Sequence, residues 1–313
     1  MRLIDVKTLE LKEFFGGANT PPYAILSHTW TGEEVTFQEW ERRGTAAVER
    51  KFGHAKIVGA CRRARADGLA WLWCDTNCID KRSSAELSEA INSMFAWYHD
   101  AKVCYAYLDD VDQKPDSFAQ SRWFTRGWTL QELLAPSRVV FFDRQWGVLG
   151  DRKDLASLIS DITRIHIRVL NDRSKIWDYS IAQRMSWAAD RTTTRLEDIA
   201  YCLLGIFDIN MPLLYGEGPK AFIRLQQEII KISDDQSILA WDWLNSQDQP
   251  LTPALAQSPS FFRSCGSIIR DTDIGRSPYS ITNIGISIEV PKVYTLLHDI
   301  ILIGLNCSRE LYA

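Results

Sequence analysis

The chain has 313 residues, 46% of them apolar and 24% charged, with a formal net charge of −4. That length holds one large domain or two ordinary ones around a sizeable core. The slightly acidic balance supplies no global basic field, which argues against nucleic acid or an anionic membrane surface as a partner.

Seven cysteines, an odd number without framework spacing, fit free thiols in a reducing compartment. The start, Met1-Arg-Leu-Ile-Asp-Val6, lacks an apolar signal core. The longest apolar-rich stretch, Ile199–Tyr215, is interrupted by Asp208, Asn210 and Pro212, so it reads as a buried helix and turn, not a membrane span. A soluble, cytoplasmic protein is expected.

In chain order, Tyr23-Ala-Ile-Leu-Ser27 is an apolar run predicted as a buried strand, ending in Ser27-His28-Thr29-Trp30. Gly32–Phe37 reads as loop. Ala55–Asp67 is predicted as a basic amphipathic helix with Ile57, Ala60, Cys61 and Ala64 on one face, closed by Gly68. Leu69–Cys74 is a second strand, followed by Asp75-Thr-Asn-Cys-Ile-Asp80. Ser83-Ser-Ala-Glu86 reads as a capping box opening a helix to about Tyr98. Lys102–Leu108 and Arg138–Phe142 are a third and a fourth strand. Strands alternating with helices predict a parallel sheet covered on both faces. In such a sheet the ligand crevice lies outside the carboxyl ends of the strands, which here carry Ser27-His28-Thr29, Asp75, Asp109-Asp110 and Asp143-Arg144.

After residue 150 the pattern changes. Leu155–Ile162, Ile181–Ala189, Leu196–Leu204 and Lys220–Ile232 read as helices, and from about Asp242 short alternating runs such as Ile281–Glu289 predict a small β region. Three segments are therefore expected. Residues 1–150 form the α/β domain, 151–241 a helical region packing on it, and 242–313 a β-rich segment cut short at Ala313.

Ser121-Arg-Trp-Phe-Thr-Arg-Gly-Trp-Thr-Leu-Gln-Glu-Leu-Leu-Ala-Pro136 concentrates two tryptophans, two arginines and one glutamate in a predicted short helix. On one continuous helix Trp128 and Glu132 share a face. Trp123, Leu130 and Leu134 then lie about opposite. Glu132 is then either a surface carboxylate beside a half-exposed Trp128 or the carboxylate of a cleft. Neighbouring Ser27 and His28 point to opposite faces of a strand, so they cannot act as nucleophile and base to each other, and no Gly-x-Ser-x-Gly elbow is present. Cys74 and Cys78 with His28 or His99 raise zinc or a cysteine nucleophile. A lone Cys-x3-Cys is weak support, and no metal is assigned. The chain has no Gly-x-Gly-x-x-Gly and no Walker sequence. Asp75 and Asp80 could hold ribose hydroxyls or cap the following turn and helix.

Three ordered blocks, Tyr23-Ala-Ile-Leu-Ser-His-Thr-Trp30, Trp73-Cys-Asp-Thr-Asn-Cys-Ile-Asp80 and Ser121–Leu133, resemble the signature blocks of the fungal heterokaryon-incompatibility (HET) domain. Arg184–Arg191 through Tyr215-Gly-Glu-Gly218 resembles what commonly follows it. The resemblance implies a trigger of cell death after non-self recognition, often the effector part of a larger receptor. HET domains are in turn similar to TIR domains, which have a flavodoxin-like parallel sheet flanked by helices. Some TIR domains cleave NAD through a glutamate in a Trp-Cys-x-x-Glu-Leu pattern. Trp128-Thr-Leu-Gln-Glu132-Leu133 matches that spacing, with Thr129 in place of the cysteine.

By resemblance, Glu132 is the catalytic carboxylate and NAD is a substrate, with no cofactor and no metal implied. Ser27, His28, Thr29, Trp30, Asp75, Asp80, Arg122, Trp123, Arg126 and Trp128 are the candidate substrate contacts. In that role the aromatic rings stack on a base and the arginines pair with pyrophosphate or, alternatively, with nearby aspartates. Self-association on activation and a partner protein of the incompatibility system are further expectations. The competing expectation is a non-enzymatic signalling module that acts by self-association.

Overall fold

The computed structural model describes residues 1–15, 19–112, 117–242, 254–271, 279–293 and 302–310. The chain divides into two compact units, Met1–Arg173 and Ser174–Ala313.

The first unit contains strands β1 (Arg2–Asp5), β2 (Leu11–Glu13), β3 (Tyr23–His28), β4 (Trp71–Cys74), β5 (Val103–Tyr107), β6 (Val139–Phe142) and β7 (Val148–Asp151). Among the described residues these form one sheet in the order β2-β1-β4-β3-β5-β6-β7. β3 pairs parallel with both β4 and β5, and β5 pairs parallel with β6. The antiparallel strands, β1 with β2 on one side and β7 on the other, extend the two edges. In order of appearance, the parallel core runs second-first-third-fourth, the flavodoxin-like winding that was expected.

β3, β5 and β6 are buried at every position. Both sheet faces are therefore covered, which is why these strands are unbroken apolar runs and not alternating ones.

The helices of this unit are α1 (Phe37–Trp40), α2 (Ala46–Glu49), α3 (Phe52–Ala66), α4 (Ser84–Asp100), α5 (Thr129–Leu134), α6 (Ala156–Thr163) and α7 (Ile167–Asn171). α3 and α4 are the crossovers into β4 and β5. At the start of α4 the Ser83 side chain accepts the Glu86 N–H at 3.3 Å. Glu86 does not return the bond to Ser83: its carboxylate pairs with Arg2 and accepts the Asp80 N–H. The predicted capping box is thus half formed.

The stretch 121–136 is not one helix. A 3-10 turn covers Arg122–Thr125, the chain extends at Arg126, and α5 starts at Thr129. Strands β1, β2 and β7 and helices α1, α2 and α7 were not expected.

The second unit holds α8 (Ile181–Ser186), α9 (Asp198–Tyr201) and α10 (Lys220–Ile232). Ser180 and Gln183 close a reciprocal capping box on α8. Buried Phe222, Leu225, Gln226, Ile229 and Ile230 line one face of α10. The small β region contains β8 (Ile268–Arg270), β9 (Ser280–Thr282), β10 (Gly285–Ser287), β11 (Lys292–Val293), β12 (Leu302–Ile303) and β13 (Cys307–Arg309). They pair as β9 with β10, β11 with β12 and β8 with β13. Of the expected β segment, residues 243–253, 272–278, 294–301 and 311–313 lie outside the described residues.

Candidate functional site

Strand alternation builds the site. Ser27 and His28 are the last residues of β3 and face opposite sides of the sheet, so they anchor two distinct clusters. Both lie beside the point between β3 and β5 where the strand order reverses, the position at which such sheets open a ligand crevice.

Ser27 faces α5. Its hydroxyl donates to Oε2 of Glu132 and accepts the indole N–H of Trp123 at 2.7 Å. The Trp123 ring is fully buried and packs edge-on against Phe124 and Phe141, with centroids 5.2 and 5.5 Å away. That packing fixes the direction of its single donor. α5 is pinned at both ends. The Thr129 hydroxyl donates to the carbonyls of Trp123 and Arg126. At the other end the Arg152 guanidinium donates to the carbonyls of Leu133 (2.6 Å) and Ser137 (3.3 Å), and Arg173 donates to that of Ala135 (2.7 Å). These arginines satisfy carbonyls that a helix end leaves open.

Glu132 is only 7% exposed. Burial pushes its carboxyl up to about 7, helped by the nearby charge of Asp75 and opposed by the Ser27 hydroxyl, His28 and Tyr98. It is a buried carboxylate, not the surface residue that was one alternative. The helical-wheel expectation that set Trp123 opposite Glu132 fails because the chain breaks at Arg126-Gly127. Both side chains converge on Ser27.

His28 faces α3, with its side chain 1% exposed. Nε2 lies 3.6 Å from Oε2 of Glu34 and 3.9 Å from Oδ1 of Asp75. These separations exceed hydrogen-bond reach, and neither ring nitrogen has a hydrogen-bond partner. Burial and the Lys56 ammonium oppose a charged imidazole, while Cys74 and Glu34 favour it more strongly, so His28 is pushed up to about 9. Lys56 is fully buried and donates to Oε1 of Glu34 at 2.6 Å. Burial raises the Glu34 carboxyl, and His28 and Lys56 outweigh it, bringing it down to about 2.

Trp30 is half exposed; its indole N–H donates to Oδ2 of Asp75 at 3.0 Å, and the Lys81 ammonium sits 3.4 Å from its ring centroid. Thr29 is buried and donates to Oδ1 of Asp109 at 2.6 Å, bridging the ends of β3 and β5.

Of the predicted contacts, Ser27, His28, Thr29, Trp30, Asp75 and Trp123 therefore gather with Glu132 around the strand ends. Arg122 is exposed and forms the alternative surface pairs, with Asp109 at 3.0 Å and Asp110 at 3.4 Å. Asp80 accepts from Gln38 and from the Arg82 N–H and so holds the turn before α4. Arg126 and Trp128 are half-buried at the start of α5. Cys78 is buried with its sulfur accepting the Cys74 N–H, and His99 is exposed against Asp100.

Glu34, Lys56 and Tyr98 were not anticipated. Lys56 carried a usable signal, because it stands four and eight residues before Ala60 and Ala64, on the apolar stripe of α3. An apolar cleft of about 480 Å³ in the second unit, lined by residues of α10 and the β9–β10 hairpin, has Lys220 as its one charged lining residue. It lacks the convergent polar groups of the strand-end clusters.

Residues 23–119 match the family described as Heterokaryon incompatibility protein (HET). That span covers β3, β4 and β5 and ends before α5. Over 231 residues, 70% of this chain, the sequence is 48% identical to Vegetative incompatibility protein HET-E-1 of Podospora anserina. The match takes in 17% of that relative's length. No solved structure matches. Among the described residues no helix is long and apolar enough to cross a membrane. Together, the family match and the relative make this chain a fungal heterokaryon-incompatibility (HET) domain protein.

Proposed function

We propose that the chain is a cell-death effector of fungal non-self recognition that cleaves NAD at the nicotinamide–ribose bond, with Glu132 as the catalytic carboxylate. The observation that carries the reading is the buried Glu132 carboxyl, held by Ser27 at the carboxyl end of the first parallel strand. A buried carboxyl with a raised pKa beside the strand-order switch is the kind of group a catalytic site employs.

In the proposed reaction the C1′–N bond breaks and its electron pair leaves with neutral nicotinamide. The positive charge left on the ribosyl centre resembles that in glycoside cleavage. The Glu132 carboxylate stabilises that charge in a low-dielectric site, where such stabilisation is worth most. Water then adds to C1′ and loses a proton. The hydrogen bond from Trp123 to Ser27 directs the serine hydroxyl at the carboxylate, which fixes the position of the charge before substrate arrives. Trp30 is half exposed and offers aromatic surface for a base.

Glu132 is covered in this state, so side chains at the strand ends must move before a ribose reaches it. The incompatibility role of the Podospora relative supports the cell-death part of the reading. The test is expression in a fungal host. Wild-type protein should deplete cellular NAD before cells die, and Glu132→Ala should do neither. Undiminished killing by Glu132→Ala with NAD intact favours the self-association reading.

A further inference from the structure

On the α3 side of β3, four side chains from three separate segments bring potential metal-ligating atoms together, two of them, His28 and Glu34, with buried atoms that have no hydrogen-bond partner. A ring nitrogen of His28, Sγ of Cys74 and a carboxylate oxygen of Asp75 all lie within 4.8 Å of one another. Oε2 of Glu34 stands 3.6 Å from the same imidazole nitrogen.

The two carboxylates are oriented in the same manner. Glu34 spends Oε1 on Lys56 and on the Thr31 N–H, and leaves Oε2 buried without a hydrogen-bond partner. Asp75 spends Oδ2 on the Trp30 indole and the Lys81 ammonium, and turns Oδ1 to His28. The imidazole has no hydrogen-bond partner on either nitrogen although its side chain is 1% exposed. A buried ring left in this way ordinarily carries a large desolvation penalty.

We propose that His28, Cys74, Asp75 and Glu34 form a binding site for a zinc-class divalent cation, separate from the Glu132 cluster. Thiolate and imidazole in one donor set select zinc and its neighbours over magnesium or calcium. Donors around a tetrahedral zinc stand about 3.4–3.7 Å apart. The separation of Nε2 from Oε2 of Glu34, 3.6 Å, already lies in that range, and that from Oδ1 of Asp75, 3.9 Å, stands just above it. Coordination replaces the proton on the Cys74 thiol and any proton on Nε2, and both protons leave to solvent.

The surrounding bonds act as the supports that metal ligands require. Lys56, Trp30 and Lys81 fix the two carboxylates, and the Thr76 hydroxyl lies 3.2 Å from the Cys74 sulfur. A cation here would bind the loop carrying Glu34 to the ends of β3 and β4, and so set the wall of the crevice.

The experiment is titration of the metal-stripped chain with cobalt(II), read by absorption, followed by displacement with zinc(II). One cobalt per chain is expected, with a thiolate-to-metal charge-transfer band that zinc abolishes. Cys74→Ser should remove the band. Asp75→Asn and His28→Gln should weaken binding by about 100-fold or more. Cys78→Ser and Glu132→Gln should leave the band intact, which separates this site from NAD cleavage. Circular dichroism confirms that each variant folds, and Asp75→Asn serves if His28→Gln does not. Absence of the band in wild-type protein, or its persistence in folded Cys74→Ser, overturns the proposal.

Discussion

Replacing Glu132 by Gln keeps the shape of the side chain and an oxygen to accept the Ser27 hydroxyl, but removes the ionisation. In the folded protein the carboxyl titrates at about 7, raised from 4.5 chiefly by burial. At 1.36 kcal/mol per pH unit, the ionised form costs the fold about 3 kcal/mol.

The sign follows from proton counting. Between pH 4.5 and 7 the folded chain retains a proton that the unfolded chain has lost, so this group's contribution to stability falls as pH rises through that window. Above pH 7 the loss is complete. Glu132→Gln has no such loss, and the other titrating groups are common to both proteins. The stability difference between variant and wild type should therefore be near zero below pH 4.5. It should grow to about 3 kcal/mol in favour of the variant by pH 8. For a unit of this size that corresponds to about 6–12 °C in thermal midpoint. Thermal unfolding of both proteins at matched pH values measures it. A difference that stays constant between pH 5 and 8 refutes the raised pKa and, with it, the support it lends to a catalytic role for Glu132.

Other substitutions probe the surroundings. Ser27→Ala strands the Trp123 indole N–H in the core and should destabilise by about 1–3 kcal/mol; because the serine hydroxyl holds the Glu132 pKa down, the variant's pH-dependent loss of stability should move to higher pH. Lys56→Met leaves the Glu34 carboxylate without its 2.6 Å partner and should cost about 3–5 kcal/mol, read by denaturant midpoint. Gly53→Ala would place a Cβ 2.7 Å from the Glu33 carbonyl and 2.9 Å from the Val35 nitrogen. Backbone must shift there, so about 1–3 kcal/mol is expected, with the Glu34 loop showing faster hydrogen exchange. The rate of NAD cleavage should rise with pH through about 7 and then level, since the ionised Glu132 is the form that stabilises the ribosyl charge.

The parallel core was legible because β3, β4, β5 and β6 are short apolar runs followed by polar residues, and burial on both faces demands that composition. β1 and β2 were not. They are four- and three-residue strands, too short to show a period. The geometry around Glu132 was legible only in part. That Ser27 and Glu132 belong to one site was implied by the family resemblance, not by the residues around them. The relation of Glu132 to Trp123 was not legible, because a wheel drawn through Ser121–Pro136 ignored the break that Arg126-Gly127 introduces. Glu34 gave no local sign, since its role arises from a loop brought close by Gly53 at the start of α3. Lys56 did give one, as a charged residue on an apolar stripe.

The central claim is that Glu132 supports scission of NAD, and nicotinamide release tests it most directly. Purified wild-type chain and Glu132→Gln, both verified as folded, are incubated with NAD at pH 8 and free nicotinamide is measured over time. The account predicts steady release by the wild-type chain and a loss of at least about 100-fold in the variant, the scale of removing one preorganised electrostatic group from an active site. Equal release by the two proteins contradicts it.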